Sequence, residues 1–430
     1  MLLPFVEGPI FHIYSWWGIV WVHLMGTSLA FKVFLLVPSF RGMDSSFIEA
    51  ARASGASIGK ALGKVVVPLM MPVLLVTALI GFVRSMQAFE IELVLGAPAG
   101  IDVYSTAIFR AMAGEPPAQG LASALSMSFV IALLPFVLLQ LWYSRNNQHA
   151  AITGKIRPRQ FALGPLKWPA FTFVVGILAL MTVIPLTFLA LSTFMRLFGM
   201  FDLNEPFTLD HWRAALGRGD VMRSLWNTLR IGVVASILAM PTYTVLAYLI
   251  VRWRSALTRF LDFIVWLPAL VPGVVLSLGL LQSFVNVPGF RLLYGTLFSL
   301  VIAILVGSLT VGVQYLKSNM QQLGRELEEA GWASGGSRAY VFRRIVLPLI
   351  APAVVVVGLE VFASANSAVA ILAILGVGSL QPLSILQLNL VTSGEMESAA
   401  VVGFTIMVLT VVSALLARMV SDRIGLARTE

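Results

Sequence analysis

The 430-residue chain contains no cysteine, so disulfides and thiolate metal sites are excluded. Its four histidines, His12, His23, His149 and His211, are scattered, and no metal site is expected from them. Only 11% of the residues are charged, against about 25% in soluble domains. No G-x-x-x-x-G-K-[ST] occurs. The nearest stretch, "GASIGK" at Gly55–Lys60, has the wrong spacing and is followed by Ala61. No nucleophile, base and orienting group fall into a recognisable set. The chain therefore carries no ATPase signature, no catalytic residues and no call for a cofactor of its own. Its apolar runs are continuous rather than alternating, which excludes a strand barrel.

What the chain has is apolar length. It is 58% hydrophobic with a mean hydropathy of +0.91, too much apolar surface to hide in water. The sequence predicts an all-α integral membrane protein, a polytopic helical bundle in contact with lipid. Runs of about 20 residues suit membrane-spanning helices. Nine are expected, near 12–36, 69–92, 121–143, 169–193, 226–250, 261–284, 293–316, 350–373 and 399–419.

The net charge of +9 is distributed by side. Segments 37–68, 145–168, 251–260, 317–349 and 418–430 hold 20 of the 29 Lys and Arg residues, and alternating spans put all five on one face. The positive-inside rule makes that face cytoplasmic, and the charge is then no footprint of nucleic acid.

One polar cassette occurs twice. "EAARASGASIGKALGKVVVP" runs from Glu49 to Pro68, and "EAGWASGGSRAYVFRRIVLP" from Glu329 to Pro348. The same offset relates Tyr14 to Tyr294, Pro72 to Pro352, Phe82 to Phe362, Ala88 to Ala368 and Leu95-Gly96 to Leu375-Gly376. An offset constant over so long a stretch indicates an internal duplication. Both cassettes face the same side, so the copies are parallel. The counterparts of the three helices in 169–284 would then fall before residue 1. The expectation is a first copy truncated at its N-terminus by on the order of a hundred residues. The rival is a natural three-plus-six arrangement.

Within each cassette the small residues (Ala50, Ala51, Ala53 and Gly55; Ala330, Gly331, Ala333 and Gly335) let another surface approach the backbone. Glu49 and Glu329 are expected to begin a short helix whose positive end they complement. Gly55 and Gly335 are expected to end it and turn the chain. Basic residues follow, and Pro68 or Pro348 re-enters the membrane. An Ala-rich connecting loop is the bland alternative.

This pattern, E-A-A, three residues, G, nine residues, I-x-L-P, resembles the coupling-loop signature of the permease subunits of ATP-binding-cassette (ABC) importers. The second copy departs by Gly331 for the second Ala, the first by Val65 and Val67 for Ile and Leu. The resemblance implies a type I permease fold over essentially the whole chain. It also implies that Glu49, Ala50, Ala51, Gly55, Glu329, Ala330, Gly331 and Gly335 dock onto separate ATPase subunits, two copies of them. An extracytoplasmic solute-binding protein would deliver the cargo. Two copies in one chain resemble a fused permease, divided into a first repeat at 1–144, a linker at 145–168 and a second repeat at 169–430. The linker's "TGK" (Thr153–Lys155), the later Leu163-Gly164 and the "NTL" at Asn227–Leu229 are similar to the ferric-iron branch. Thiamine and phosphonate importers also use fused permeases.

Ionisable and amide groups inside the spans are the remaining candidates. Arg84, Glu360 and Asn366 either touch the translocation path or hold helices together. Glu92 is expected in a solvated position at the outer interface. Pro241, Pro268 and Pro272 are expected to kink their helices. The segment 195–223 either meets the binding protein or forms a solvated loop with a short helix. A secondary carrier would also show repeats and midplane charges, but has no use for two docking cassettes.

Overall fold

The computed structural model describes residues 12–25, 32–33, 36–37, 40, 46–147, 167–197, 205–253, 255–376 and 378–424. Most of the expected linker at 145–168 lies outside these. The described chain is helical, with one isolated antiparallel bridge, Met195 to Phe207, in place of any sheet.

In chain order the helices are α1 (Trp16–Met25), α2 (Ser46–Ala53), α3 (Ile58–Ala61), α4 (Val67–Met86), α5 (Tyr104–Ala113), α6 (Gln119–Asn147), α7 (Lys167–Leu178) and α8 (Ile184–Ser192). They continue as α9 (Asp210–Gly217), α10 (Gly219–Arg252), α11 (Ala256–Leu270), α12 (Gly273–Asn286), α13 (Leu297–Gln321), α14 (Glu326–Ala333), α15 (Arg338–Val341), α16 (Leu347–Ser367), α17 (Leu383–Thr392) and α18 (Met396–Ile424).

Among the described residues six stretches are long and apolar enough to cross a membrane, and eight if each of two bent pairs is one span. The chain is an integral, multi-pass membrane protein. Eight of the nine expected runs have a counterpart in this set. The first, 12–36, is represented by the ten-residue α1, and its residues 26–31 and 34–35 lie outside the described residues.

The expected span 261–284 is two helices, α11 and α12, meeting at 116°. The cause is local. Pro272 disfavours helical geometry at the residue before it, and Val271 is extended at φ −103, ψ 131. Pro268 and Pro241 lie inside α11 and α10 and break neither. The run 350–373 ends as a helix at Ser367, and Ala368 is extended.

The chain divides into two compact units. One comprises residues 1–107 and 120–188, the other 108–119 and 189–430. In the second, α10 packs against α13 and α16, and α16 against α18. The buried face of α10 carries small residues, among them Ser224, Thr228, Ala235, Ser236, Ala239 and Ala247, which let helix backbones close up in an apolar medium. Ser236 Oγ donates to the carbonyl of Gly358 on α16 at 2.7 Å. Tyr243 Oη donates to the Leu305 carbonyl on α13 at 2.5 Å. A Cβ at Gly312 would stand 2.5 Å from the Tyr243 ring, so α13 reaches α10 only because residue 312 has none. Glu395, beside the start of α18, pairs with Arg218 at 2.7 Å, and Arg218 also holds Asp220 at 2.8 Å.

In the first unit Phe89, Phe129 and Leu133 are buried, and Tyr104 stacks on Phe129 with ring centroids 5.0 Å apart. Glu92 does not occupy the solvated position expected of it. It is buried, with Oε1 2.6 Å from Nε2 of His23. The packing of α1 against the turn at 92–96 encloses it, a contact between positions too far apart for local pattern to reveal.

Candidate functional site

Each cassette folds in the same four steps, at the same offset. A short helix (α2, Ser46–Ala53; α14, Glu326–Ala333) ends at a left-handed glycine. A one-turn helix follows (α3, Ile58–Ala61; α15, Arg338–Val341). A widened π turn then covers Leu62–Val66 or Phe342–Val346, and a membrane helix begins at Val67 or Leu347.

The residues explain the steps. Gly55 and Gly335 have φ +82 and +85, a region open to glycine and costly for other residues. The turn satisfies carbonyls at the helix end. Gly336 N–H donates to the Gly331 carbonyl at 3.0 Å, and Gly335 N–H to that of Trp332 at 2.9 Å. Ala56 N–H does the same for Ala51 at 3.0 Å. This is the Schellman arrangement. Ser337 caps the next turn, its Oγ accepting from Tyr340 N–H at 3.2 Å. The π turns stand just before Pro68 and Pro348, which have no N–H to continue the ladder.

Glu49 and Glu329 do not begin their helices. Each is the fourth residue, because the helices start at Ser46 and Glu326. They still lie in the first turn, where a carboxylate complements the helix end. Glu49, Ala50, Glu329 and Ala330 are exposed, and so are both turn glycines. Ala51 and Gly331 are half-buried against the following turn.

Gly331 has a packing reason. A Cβ there would stand 2.8 Å from Val341 Cγ2 and 2.8 Å from Ile345 Cδ1. The first cassette has Ala51, Ala61 and Val65 at these three positions. The methyl absent at 331 is present on the opposing turn, so the departure from the motif is a compensated exchange of volume.

One buried set of side chains joins the second docking helix to α10 and leaves no mark in the local sequence pattern. Glu328, next to the motif acid, is 2% exposed. Its Oε1 is 2.5 Å from Arg252 Nε at the end of α10, and its Oε2 accepts from Tyr248 Oη at 3.1 Å. Arg252 also donates to the Leu323 carbonyl at 3.1 Å, just ahead of α14. Glu328 stands between two other acids, and only the fold distinguishes it from the exposed Glu326 and Glu329.

The three path candidates fall in two different units. Arg84 lies in the last turn of α4, in the first unit. Glu360 and Asn366 are on α16, in the second, and six residues apart they face different ways. Glu360 accepts from Ser364 Oγ at 3.1 Å, and its other oxygen is buried with no hydrogen-bond partner among the described residues. Asn366 is fully buried, and neither atom of its amide has a hydrogen-bond partner among the described residues. Among these residues no group of three metal-ligating side chains occurs. Of the segment 195–223, residues 198–204 lie outside the described residues, Asp210–Gly217 form the short helix α9, and Trp212 stands edge-on to Phe404 at 5.8 Å.

A helical multi-pass protein with two equivalent elbows, each leading into a spanning helix, belongs among the polytopic membrane proteins. Comparison with known proteins makes this specific. The family of binding-protein-dependent transport system inner membrane components matches residues 1–152 and 232–426, and the chain belongs to it. The chain is 27% identical over 424 residues to the probable ABC transporter permease protein y4fN of Sinorhizobium fredii, covering 96% of this chain and 73% of that one. It is 26% identical over 340 residues to the ferric transport system permease protein FbpB of Actinobacillus pleuropneumoniae, covering 77% of this chain and 48% of the relative. A solved bacterial ABC transporter that imports the acidic polysaccharide alginate shares the fold. Its TM-score is 0.50 at 16% identity, over 62% of this chain and 96% of that one.

Proposed function

We propose that this chain is the membrane-spanning subunit of an ABC importer and that it offers two docking elbows to ATPase subunits from one polypeptide. The observation that carries the reading is the pair of cassettes, equal step for step, each ending an exposed helix at a left-handed glycine. Family membership supports it, and so do the two separate stretches that the family description matches. On this reading residues 1–144 form a first permease repeat with its docking segment at 49–68. Residues 145–168 are a linker, and 169–430 a second repeat with its docking segment at 329–348. Both segments face the cytoplasm, where the positive charge lies.

The ATPases sit in separate chains, and a solute-binding protein delivers cargo from the other side. Glu49, Ala50, Ala51 and Gly55, with Glu329, Ala330, Gly331 and Gly335, form the docking surfaces. Arg84, Glu360 and Asn366 line the translocation path. The transported solute is ferric iron, a reading supported by the similarity to a ferric permease and by the linker motifs.

The test is co-expression with the ATPase and binding protein encoded beside the gene. The ATPase is expected to co-purify with this chain, and binding protein loaded with ferric iron to stimulate its ATP hydrolysis. Glu329→Lys puts a positive charge at a positive helix end, which costs about 0.3–1 kcal/mol, and is expected to weaken the association. A wild-type chain that retains no ATPase sinks the docking reading. Stimulation by thiamine- or phosphonate-loaded binding protein, and not by iron, sinks the substrate.

A further inference from the structure

We infer that Glu328, Arg252 and Tyr248 form a clamp that transmits movement between the second docking helix and α10, and that the first docking helix lacks its acid. The inference rests on the docking reading above and adds to it a positioning set that never touches the ATPase.

The geometry assigns the role. The docking helix α14 is short, and its motif residues Glu329 and Ala330 are exposed. A short surface helix passes force inward only through side chains that leave it for the membrane core. Glu328 is the buried polar residue of α14. It is held at 2.5 Å by Arg252 and at 3.1 Å by Tyr248, one turn apart on the same face of α10. Arg252 grips the chain again at the Leu323 carbonyl, ahead of α14. The Tyr248 ring lies 4.7 Å from Phe342, at the start of the π turn after α14. The end of α10 therefore holds the cassette before, within and after its docking helix. α10 runs unbroken for 34 residues to Gly219. A tilt of α14 is thereby delivered to the helix that forms the centre of the second unit.

Burial makes the linkage stiff. The side chains of Arg252 and Glu328 are 12% and 3% exposed, and neither charge can leave the other without stranding it in an apolar setting. In the first cassette the position of Glu328 is taken by Ile48. Isoleucine offers no charge and accepts no hydrogen bond, so whatever lies above it, the same clamp cannot form. The two docking helices are mechanically unequal, and the second carries the stroke.

The experiment uses the full chain with its ATPase and binding protein in vesicles, reading solute taken up per ATP hydrolysed. Retention of the ATPase on the purified chain is measured alongside. Glu328→Gln keeps the shape and an acceptor for Tyr248 but removes the charge. Arg252→Met removes the opposite one, and Arg252→Lys preserves it. The expected result is ATPase retention as in wild type, with uptake per ATP lowered about tenfold in Glu328→Gln and Arg252→Met. Arg252→Lys is expected to keep most of the coupling. The exchange of both charges, Arg252→Glu with Glu328→Arg, is expected to recover part of it. Should any variant fail to insert, Tyr248→Phe removes a single hydroxyl and is expected to lower the same ratio by a smaller factor.

Unchanged uptake per ATP in variants that keep their ATPase overturns the clamp. Loss of ATPase from Glu328→Gln overturns it too, since the residue would then belong to the docking surface. A wild-type chain that binds no ATPase is a different result and removes the docking reading itself.

Discussion

Replacing Gly335 separates a demand on backbone shape from a demand on size. Its φ is +85, and a Cβ built on it meets nothing within 4 Å. Among the described residues nothing obstructs that Cβ, so its intramolecular cost is conformational. For an ordinary L-residue the left-handed region costs about 1–2 kcal/mol. A β-branched residue stands at the upper end, and Asn tolerates the region better. That energy is either borne by the turn or released by unwinding it. Unwinding gives up the bonds from Gly335 N–H to Trp332 and from Gly336 N–H to Gly331. If docking requires the turn as it stands, the association constant for the ATPase falls by roughly 5- to 30-fold, since 1.4 kcal/mol is a factor of ten. The assay is ATPase retention on the immobilised chain through graded dilution. The expected order of retention is Gly335, then Gly335→Asn, Gly335→Ala and Gly335→Val, with membrane insertion unchanged. The same order is expected at Gly55, where φ is +82. If Asn is as poor as Val, the partner is rejecting side-chain bulk and the conformational argument is wrong. If Val binds as well as glycine, the turn does not shape the docking surface at all.

Further outcomes are expected elsewhere in the chain. Gly331→Ala, which puts a Cβ 2.8 Å from Val341 and Ile345, is expected to cost about 1–3 kcal/mol by overpacking. Adding Val341→Ala, the residue type of the first cassette, should return most of it in thermal unfolding in detergent. Because the chain has no cysteine, single cysteines at Ser57 and Ser337 report topology directly, and neither is expected to react with an impermeant thiol reagent applied outside intact cells. Tyr243→Phe removes the hydroxyl that reaches Leu305 and Ser308 and is expected to lower stability by about 0.5–1.5 kcal/mol. Pro272→Ala lifts the restriction on Val271. Paired spin labels on α11 and α12 are expected to show a wider range of angles around the 116° bend, and an unchanged distribution would locate the cause of the bend in packing instead.

The sequence by itself determined the class of the protein and the place where each of its two elbows ends a helix at a glycine. Composition and run length were enough for the membrane, because apolar surface on this scale has nowhere else to go. The elbows were legible because everything that makes them acts within about twenty residues. A glycine that must take positive φ, a serine that caps and a proline that breaks the ladder each act on neighbours a few positions away. Repetition of the same spacing removed chance as an explanation. The tertiary structure alone decided which polar groups are buried and with whom. Glu328 finds Tyr248 and Arg252 across 80 and 76 positions, and Glu92 finds His23 across 69. In a run of acids such as Glu326, Glu328 and Glu329, nothing local says which one turns inward. The choice belongs to the helix that packs on top. Gly331 stands between the two cases. The sequence showed it as a departure from the motif, and the 2.8 Å approach of Val341 and Ile345 gave the reason. Spacing along a chain fixes torsions and caps, while burial and pairing are fixed by neighbours that the chain brings from far away, and a single sequence does not say which.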